Sequence, residues 1–97
     1  MIQPEWFHNE VKKRGITFFT GVPDSLLKSY CNVVATQESD NHRIAANEGA
    51  SVGLAAGHYL GSGAPSLVYL QNSGLGNLVN PLVSLASPDV YGIPMLL

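Results

Sequence analysis

The sequence predicts an α/β fold, a three-layer α/β/α arrangement around a parallel sheet. Three observations carry this. Short apolar runs rich in β-branched and aromatic residues, at 16–20, 42–46 and 66–71, alternate with longer segments of helical period. Each run gives way to a turn rich in Gly, Pro, Asn or Ser. The chain has 97 residues, 45% of them hydrophobic, which is enough for one small core and little more. Right-handed crossovers then place helices on both faces of the sheet.

Pro4 suits the first position of a helix, where its missing N–H costs nothing. Trp6, Phe7 and Val11 form an apolar stripe, Lys12, Lys13 and Arg14 suit the negative end of the dipole, and Gly15 suits the stop, so the first helix covers 4–14. Residues 16–20 are the first strand, broken by Gly21-Val22-Pro23. Asp24 or Ser25 caps a second helix to Thr36, with Leu26, Leu27, Tyr30, Val33 and Val34 facing inward. Residues 42–46 are the second strand, and Asn47 caps a third helix from Glu48 to Leu60. After the third strand at 66–71 come a turn at Asn72-Ser73-Gly74 and a fourth helix over 75–85. Residues 94–97 look like the start of a fourth strand, and a chain that stops inside a strand reads as truncated.

Charge is scarce and uneven. Charged residues make up 12%, where about 25% is ordinary. Of the twelve, eleven lie within residues 1–48, and Asp89 alone lies beyond. Either a partner or a further domain covers the second half, or Ser, Asn and Gln wet it. A net charge of −2 argues against nucleic acid or an anionic membrane as the main partner. Cys31 is the single cysteine, so no disulfide framework exists, and no Cys/His cluster has zinc spacing. The first residues lack the pattern of a signal peptide, and no run is long enough to span a membrane. A reducing, cytoplasmic setting is the expectation.

In parallel sheets, ligands bind beyond the C-terminal ends of the strands. Here those ends are Thr20-Gly21-Val22-Pro23-Asp24-Ser25, Ala46-Asn47-Glu48-Gly49 and Leu70-Gln71-Asn72-Ser73-Gly74. No Walker lysine pattern and no complete dinucleotide fingerprint follows a strand. Glu48 stands out. Its apolar neighbours favour the neutral form and a helix N-terminus favours the anion, which suits a carboxyl that shares a proton. The alternative is an exposed acid in a first helical turn. Gly49, Gly53, Gly57 and Gly61 form a ridge without side chains at a cost of about 1 kcal/mol each relative to Ala. It implies close approach by another backbone, a cofactor or a symmetry mate, unless the helix is simply rich in small residues.

Taken together, Gly21-Val22-Pro23-Asp24-Ser25-Leu26-Leu27, the run from Ala46 to Leu60, and Leu70 to Asn77 resemble the pyrimidine-binding domain of thiamine diphosphate-dependent decarboxylases. The likeness extends over essentially the whole chain, through Asn80-Pro81-Leu82 and Tyr91-Gly92-Ile93-Pro94. It is nearest to the phosphonopyruvate decarboxylases, with the sulfopyruvate decarboxylases next. The resemblance implies the thiamine diphosphate-binding fold and a role for each segment. Glu48 matches the glutamate that hydrogen-bonds the pyrimidine N1′, promoting the imino tautomer that takes the proton from thiazolium C2. Gly21, Val22 and Pro23 match the loop that reaches the reaction centre, where Asp24 handles protons or orients substrate beside Ser25. Asn72, Ser73 and Gly74 match the turn lining the pyrimidine pocket.

The resemblance also implies what lies elsewhere. In the family, the diphosphate and its Mg²⁺ are held by a separate domain with a Gly-Asp-Gly motif. The Asp residues here, at 24, 40 and 89, do not lie between glycines, so this chain is expected to hold no metal. The expectation is the N-terminal part of a pyrimidine-binding domain, inactive alone, from an enzyme converting phosphonopyruvate to phosphonoacetaldehyde and CO₂. The alternatives are a sulfopyruvate decarboxylase α subunit and a non-catalytic interaction module. A homodimer or tetramer, or a partner subunit carrying the diphosphate domain, completes the implied assembly. Outside the motifs, Cys31 reads as a small core residue, Trp6 as a core or interface anchor, His8 and His58 as surface or packing residues, and His42 as a solvated turn residue.

Overall fold

A computed structural model describes residues 2–97. Its elements are α1 (Pro4–Lys13), β1 (Phe19–Gly21), α2 (Lys28–Gln37), β2 (His42–Ile44), α3 (Glu48–Ser62), β3 (Ser66–Tyr69), α4 (Val79–Ala86) and β4 (Met95–Leu96). Two 3₁₀ turns, Ser25–Leu27 and Asn72–Asn77, precede α2 and α4. All four strands are parallel, in the order β2-β1-β3-β4. Helices α1 and α2 pack together, as do α3 and α4. Val11, Phe19, Val34, Leu67 and Tyr69 close the core between the first helix pair and the sheet. Val52, Ala55 and Ala56 bury the inner face of α3. This is the expected three-layer parallel α/β architecture.

Local chemistry explains the ends of the elements. Gly15 and Gly63 take left-handed conformations at φ +88° and +77°, where a side chain would be strained. The Asn47 side chain accepts the Ala50 N–H at 2.9 Å and starts α3 as expected.

Several boundaries differ from expectation, and tertiary contacts account for them. β1 begins at Phe19, not Ile16, because its paired residues on both sides, His42 and Leu67, begin opposite Phe19. β2 stops at Ile44 on an edge of the sheet, although Ala45 N–H still donates to the Gly21 carbonyl at 2.9 Å. β3 ends at Tyr69. The Asp24 carboxylate caps a 3₁₀ turn instead of α2. With about three residues per turn, Leu26 swings out to 88% exposure and does not face inward as expected. The Gly-rich stretch 72–77 coils as 3₁₀, so α4 starts at Val79, later than the expected 75. Trp6 is 59% exposed and lies outside the core. Along the glycine ridge, only Gly49 meets a close neighbour, the Asn77 carbonyl, while Gly53, Gly57 and Gly61 face open space.

Connectivity positions the site. The chain leaves β1 for α2 on one face and leaves β3 for α4 on the other. The adjacent ends of β1 and β3 therefore form a topological switch point, where such sheets open a crevice.

Candidate active site

The strand-end segments singled out in the sequence all follow the C-terminal ends of parallel strands, at this end of the sheet. Glu48 occupies the first position of α3 and is half-buried. Its Oε2 accepts a hydrogen bond from Asn77 Nδ2 at 3.1 Å. That is its only side-chain hydrogen bond among the described residues, and it makes no ion pair there. Oε1 turns toward Gly74. A Cβ on Gly74 would overlap Oε1 and stand 2.7 Å from Cδ. Gly49 also lies close to the turn, with the Asn77 carbonyl 3.0 Å from where its Cβ would be. The start of α3 and the turn 72–77 thus fit together through two glycines, with one carboxylate oxygen fixed and the other free to accept.

The loop after β1 leaves the same end of the sheet as the turn after β3. Gly21 is buried, and Val22 N–H donates to the Tyr69 carbonyl at 3.3 Å. Asp24 is half-buried, its Oδ2 accepting the Leu26 N–H at 2.9 Å, so part of its carboxylate is already engaged in capping. Pro23 and Ser25 are exposed, as are Asn72 and Ser73. Beside this loop, Cys31 is half-buried, and burial pushes its thiol above the ordinary range. It is a packing residue, not an activated nucleophile.

Some participants escaped the sequence reading. Asn77 falls within the matched run but carries no signal of its role, because its partner lies 29 residues away. Tyr69, at the end of β3, and His42, at the start of β2, pair at 2.6 Å, so His42 is not a solvated turn residue. His8 is fully buried, bonding Glu38 at 2.8 Å and Tyr30 at 3.1 Å. His58 stacks on Phe18 with centroids 4.7 Å apart. Among the described residues, no three His, Cys, Asp or Glu side chains gather to hold a metal, and no helix is long and apolar enough to cross a membrane.

The crevice suits the group implied by the resemblance. A carboxylate with one oxygen pinned and the other free, over a glycine floor, accepts a hydrogen bond from a protonated ring nitrogen. Comparison with known proteins agrees. Residues 5–97 match the family described as thiamine pyrophosphate enzyme, N-terminal TPP binding domain. A phosphonopyruvate decarboxylase of Streptomyces hygroscopicus is 40% identical over 74 residues, 76% of this chain and 18% of that protein. A sulfopyruvate decarboxylase subunit alpha of Methanococcus maripaludis is 34% identical over 93 residues, 96% of this chain and 54% of that protein. The chain therefore spans about half the length of the second relative and under a fifth of the first. A solved Mycobacterium smegmatis structure, described as a thiamin diphosphate-dependent enzyme, superposes with a TM-score of 0.77. It covers 98% of this chain and 18% of that one at 23% identity, a likeness of fold. This chain belongs to the thiamine pyrophosphate enzymes and matches their N-terminal cofactor-binding domain.

Proposed function

We propose that the chain is the pyrimidine-holding part of a thiamine diphosphate-dependent 2-oxo acid decarboxylase acting on phosphonopyruvate. One observation carries the proposal: the Glu48 carboxylate is held by Asn77 and floored by Gly74 at the switch point of the sheet. When bound, thiamine diphosphate supplies the electron sink for loss of CO₂. With the cofactor in place, the Glu48 carboxylate would accept a hydrogen bond from the pyrimidine ring and would hold the proton exchanged there. Asn77 fixes Oε2 so that the free oxygen keeps its direction. Gly21, Val22 and Pro23 set the wall of the pocket, with Asn72, Ser73 and Gly74 opposite. Asp24 and Ser25 stand at its mouth, where they orient the substrate.

The diphosphate and its Mg²⁺ are held outside these residues, in a second domain or a partner subunit. An apolar groove of about 930 Å³ supports a larger assembly. It lies beside α1, α2 and strands β3 and β4, lined by Phe7, Leu27, Tyr30, Leu67 and Leu97. A sheet face this apolar is covered in a complete domain. The 96% coverage of this chain by a sulfopyruvate decarboxylase α subunit favours one further reading, sulfopyruvate as substrate with the diphosphate domain on a separate chain.

The test is CO₂ release by the complete enzyme, or by this chain with its partner, with thiamine diphosphate and Mg²⁺. Phosphonopyruvate and sulfopyruvate are offered side by side. Turnover of phosphonopyruvate is expected, and preference for sulfopyruvate selects the second reading. Glu48→Gln should abolish most of the turnover. Activity on neither acid, with no cofactor binding by calorimetry, overturns both.

A further inference from the structure

Tyr69 ends β3 but its side chain crosses β1. The ladder sets Gly21 opposite Tyr69 on one side and Ile44 on the other. A Cβ at residue 21 would stand 2.7 Å from Tyr69 Cδ1 and 2.8 Å from Cγ, so the ring lies over bare backbone. Beyond Gly21 the Tyr69 hydroxyl reaches His42 Nε2, at the start of β2, across 2.6 Å. The backbone is tied at the same place. The Tyr69 carbonyl accepts the Val22 N–H at 3.3 Å, and the Gly21 carbonyl accepts the Ala45 N–H at 2.9 Å. Burial pushes the Tyr69 phenol up to about 12, so its O–H stays on as the donor. Burial first, and Arg43 second, push His42 below its ordinary value, which favours the neutral ring, one tautomer of which accepts at Nε2. One side chain therefore runs diagonally across β1, from Tyr69 at the end of β3, past Gly21, to His42 at the start of β2, which lies opposite Phe19.

We propose that Tyr69 and His42 are positioning residues that clamp β1 between β2 and β3 and so hold Val22, where the loop to Asp24 begins, against the end of β3. The importance of that loop rests on the proposed function, whereas the clamp is a property of the fold and is tested without turnover. The sequence singled out Gly21 as part of a ligand loop. On this account its bare backbone also serves as the bed for the Tyr69 ring.

Amide hydrogen exchange, followed by NMR on the full chain, tests the clamp. Tyr69→Phe keeps the ring and removes the hydroxyl. It should speed exchange at Val22 and Ala45 by about tenfold, while the Leu67 and Leu82 amides, bonded away from His42, stay within about twofold. His42→Ala should do the same. His42→Gln, whose amide oxygen reaches the Nε2 position, should restore slow exchange. Equal acceleration at all four amides would show general loosening and overturn the proposal. So would unchanged rates at Val22 and Ala45, or His42→Gln behaving like His42→Ala. If Tyr69→Phe does not fold, the two His42 variants decide. Absence of decarboxylase activity in the wild-type enzyme would remove the loop's assigned role and leave these rates as they are.

Discussion

Gly74 lies against the Glu48 carboxylate, with the Cδ and Cγ atoms of Glu48 2.7 and 2.8 Å from where a Gly74 side chain would begin. An added methyl must displace either the carboxylate or the turn. Gly74→Ala should therefore cost about 1–3 kcal/mol by overpacking, read from urea denaturation. Combining it with Glu48→Ala removes the obstacle, so the pair should cost much less than the sum of the single changes. Strict additivity would mean that Gly74 is required by its own backbone and not by Glu48.

Asn77 is the residue that orients the carboxylate. Asn77→Ala leaves the charge of Glu48 in place but frees Oε2. Because the contact is exposed, the chain's stability should change by less than about 0.5 kcal/mol. Thiamine diphosphate binding to the complete enzyme should weaken by about tenfold, measured by calorimetry. Unaltered affinity would confine Asn77 to a structural role.

Acid stability is set at the opposite side of the fold from the crevice. The buried Glu38 carboxylate accepts from Lys12 at 2.8 Å and is bonded by His8 at 2.8 Å. Burial alone raises its pKa, but those two partners outweigh burial and the net direction is down from the ordinary 4.5. A carboxyl lowered in the folded state contributes stability above its unfolded value, and that contribution is lost as pH falls through the folded value. Glu38→Gln should cost about 2–3 kcal/mol at pH 7. The gap from wild type should close below pH 4.5, in a series of Tm values against pH. A gap independent of pH would refute the charge explanation.

Leu26 separates local pattern from tertiary outcome. At 88% exposure, Leu26→Ser should change stability by less than about 0.5 kcal/mol. Val34 is fully buried in the core, and Val34→Ala should cost about 2 kcal/mol. Chemical denaturation of the two variants compares them directly, and a large loss at Leu26 would return it to the core.

These contrasts show why some features were legible in the sequence and others were not. The alternation of strands and helices, the Asn47 cap and the place of Glu48 at the start of α3 are written in local pattern, within a few residues. So are the strand-end turns that mark the crevice. The 3₁₀ path that turns Leu26 outward, and the one that delays α4 to Val79, are decided by packing across the fold. Ladder limits behave likewise, since β1 starts where β2 and β3 can meet it. The partners of the site residues are the least legible. Asn77 reaches Glu48 across 29 residues, and Tyr69 reaches His42 across 27. Nothing in their own neighbourhoods marks them.

The glycine ridge on α3 gives the sharpest test of what covers the uncharged second half. Nothing lies within 4 Å of a Cβ built on Gly53, Gly57 or Gly61. In the chain alone these glycines are only a helical cost. Gly57→Ala should thus raise stability by about 1 kcal/mol, seen as a higher Tm. If a second copy or a partner subunit lays its backbone along this ridge, one of the close approaches the glycine spacing implies, the same methyl becomes an obstacle. Assembly should then weaken by about tenfold or more, a loss that sedimentation would read beside the Tm. A gain in Tm with undiminished assembly would place the partner elsewhere. Leu54, Leu60 and Val83, exposed on α3 and α4, would then be the next positions to examine.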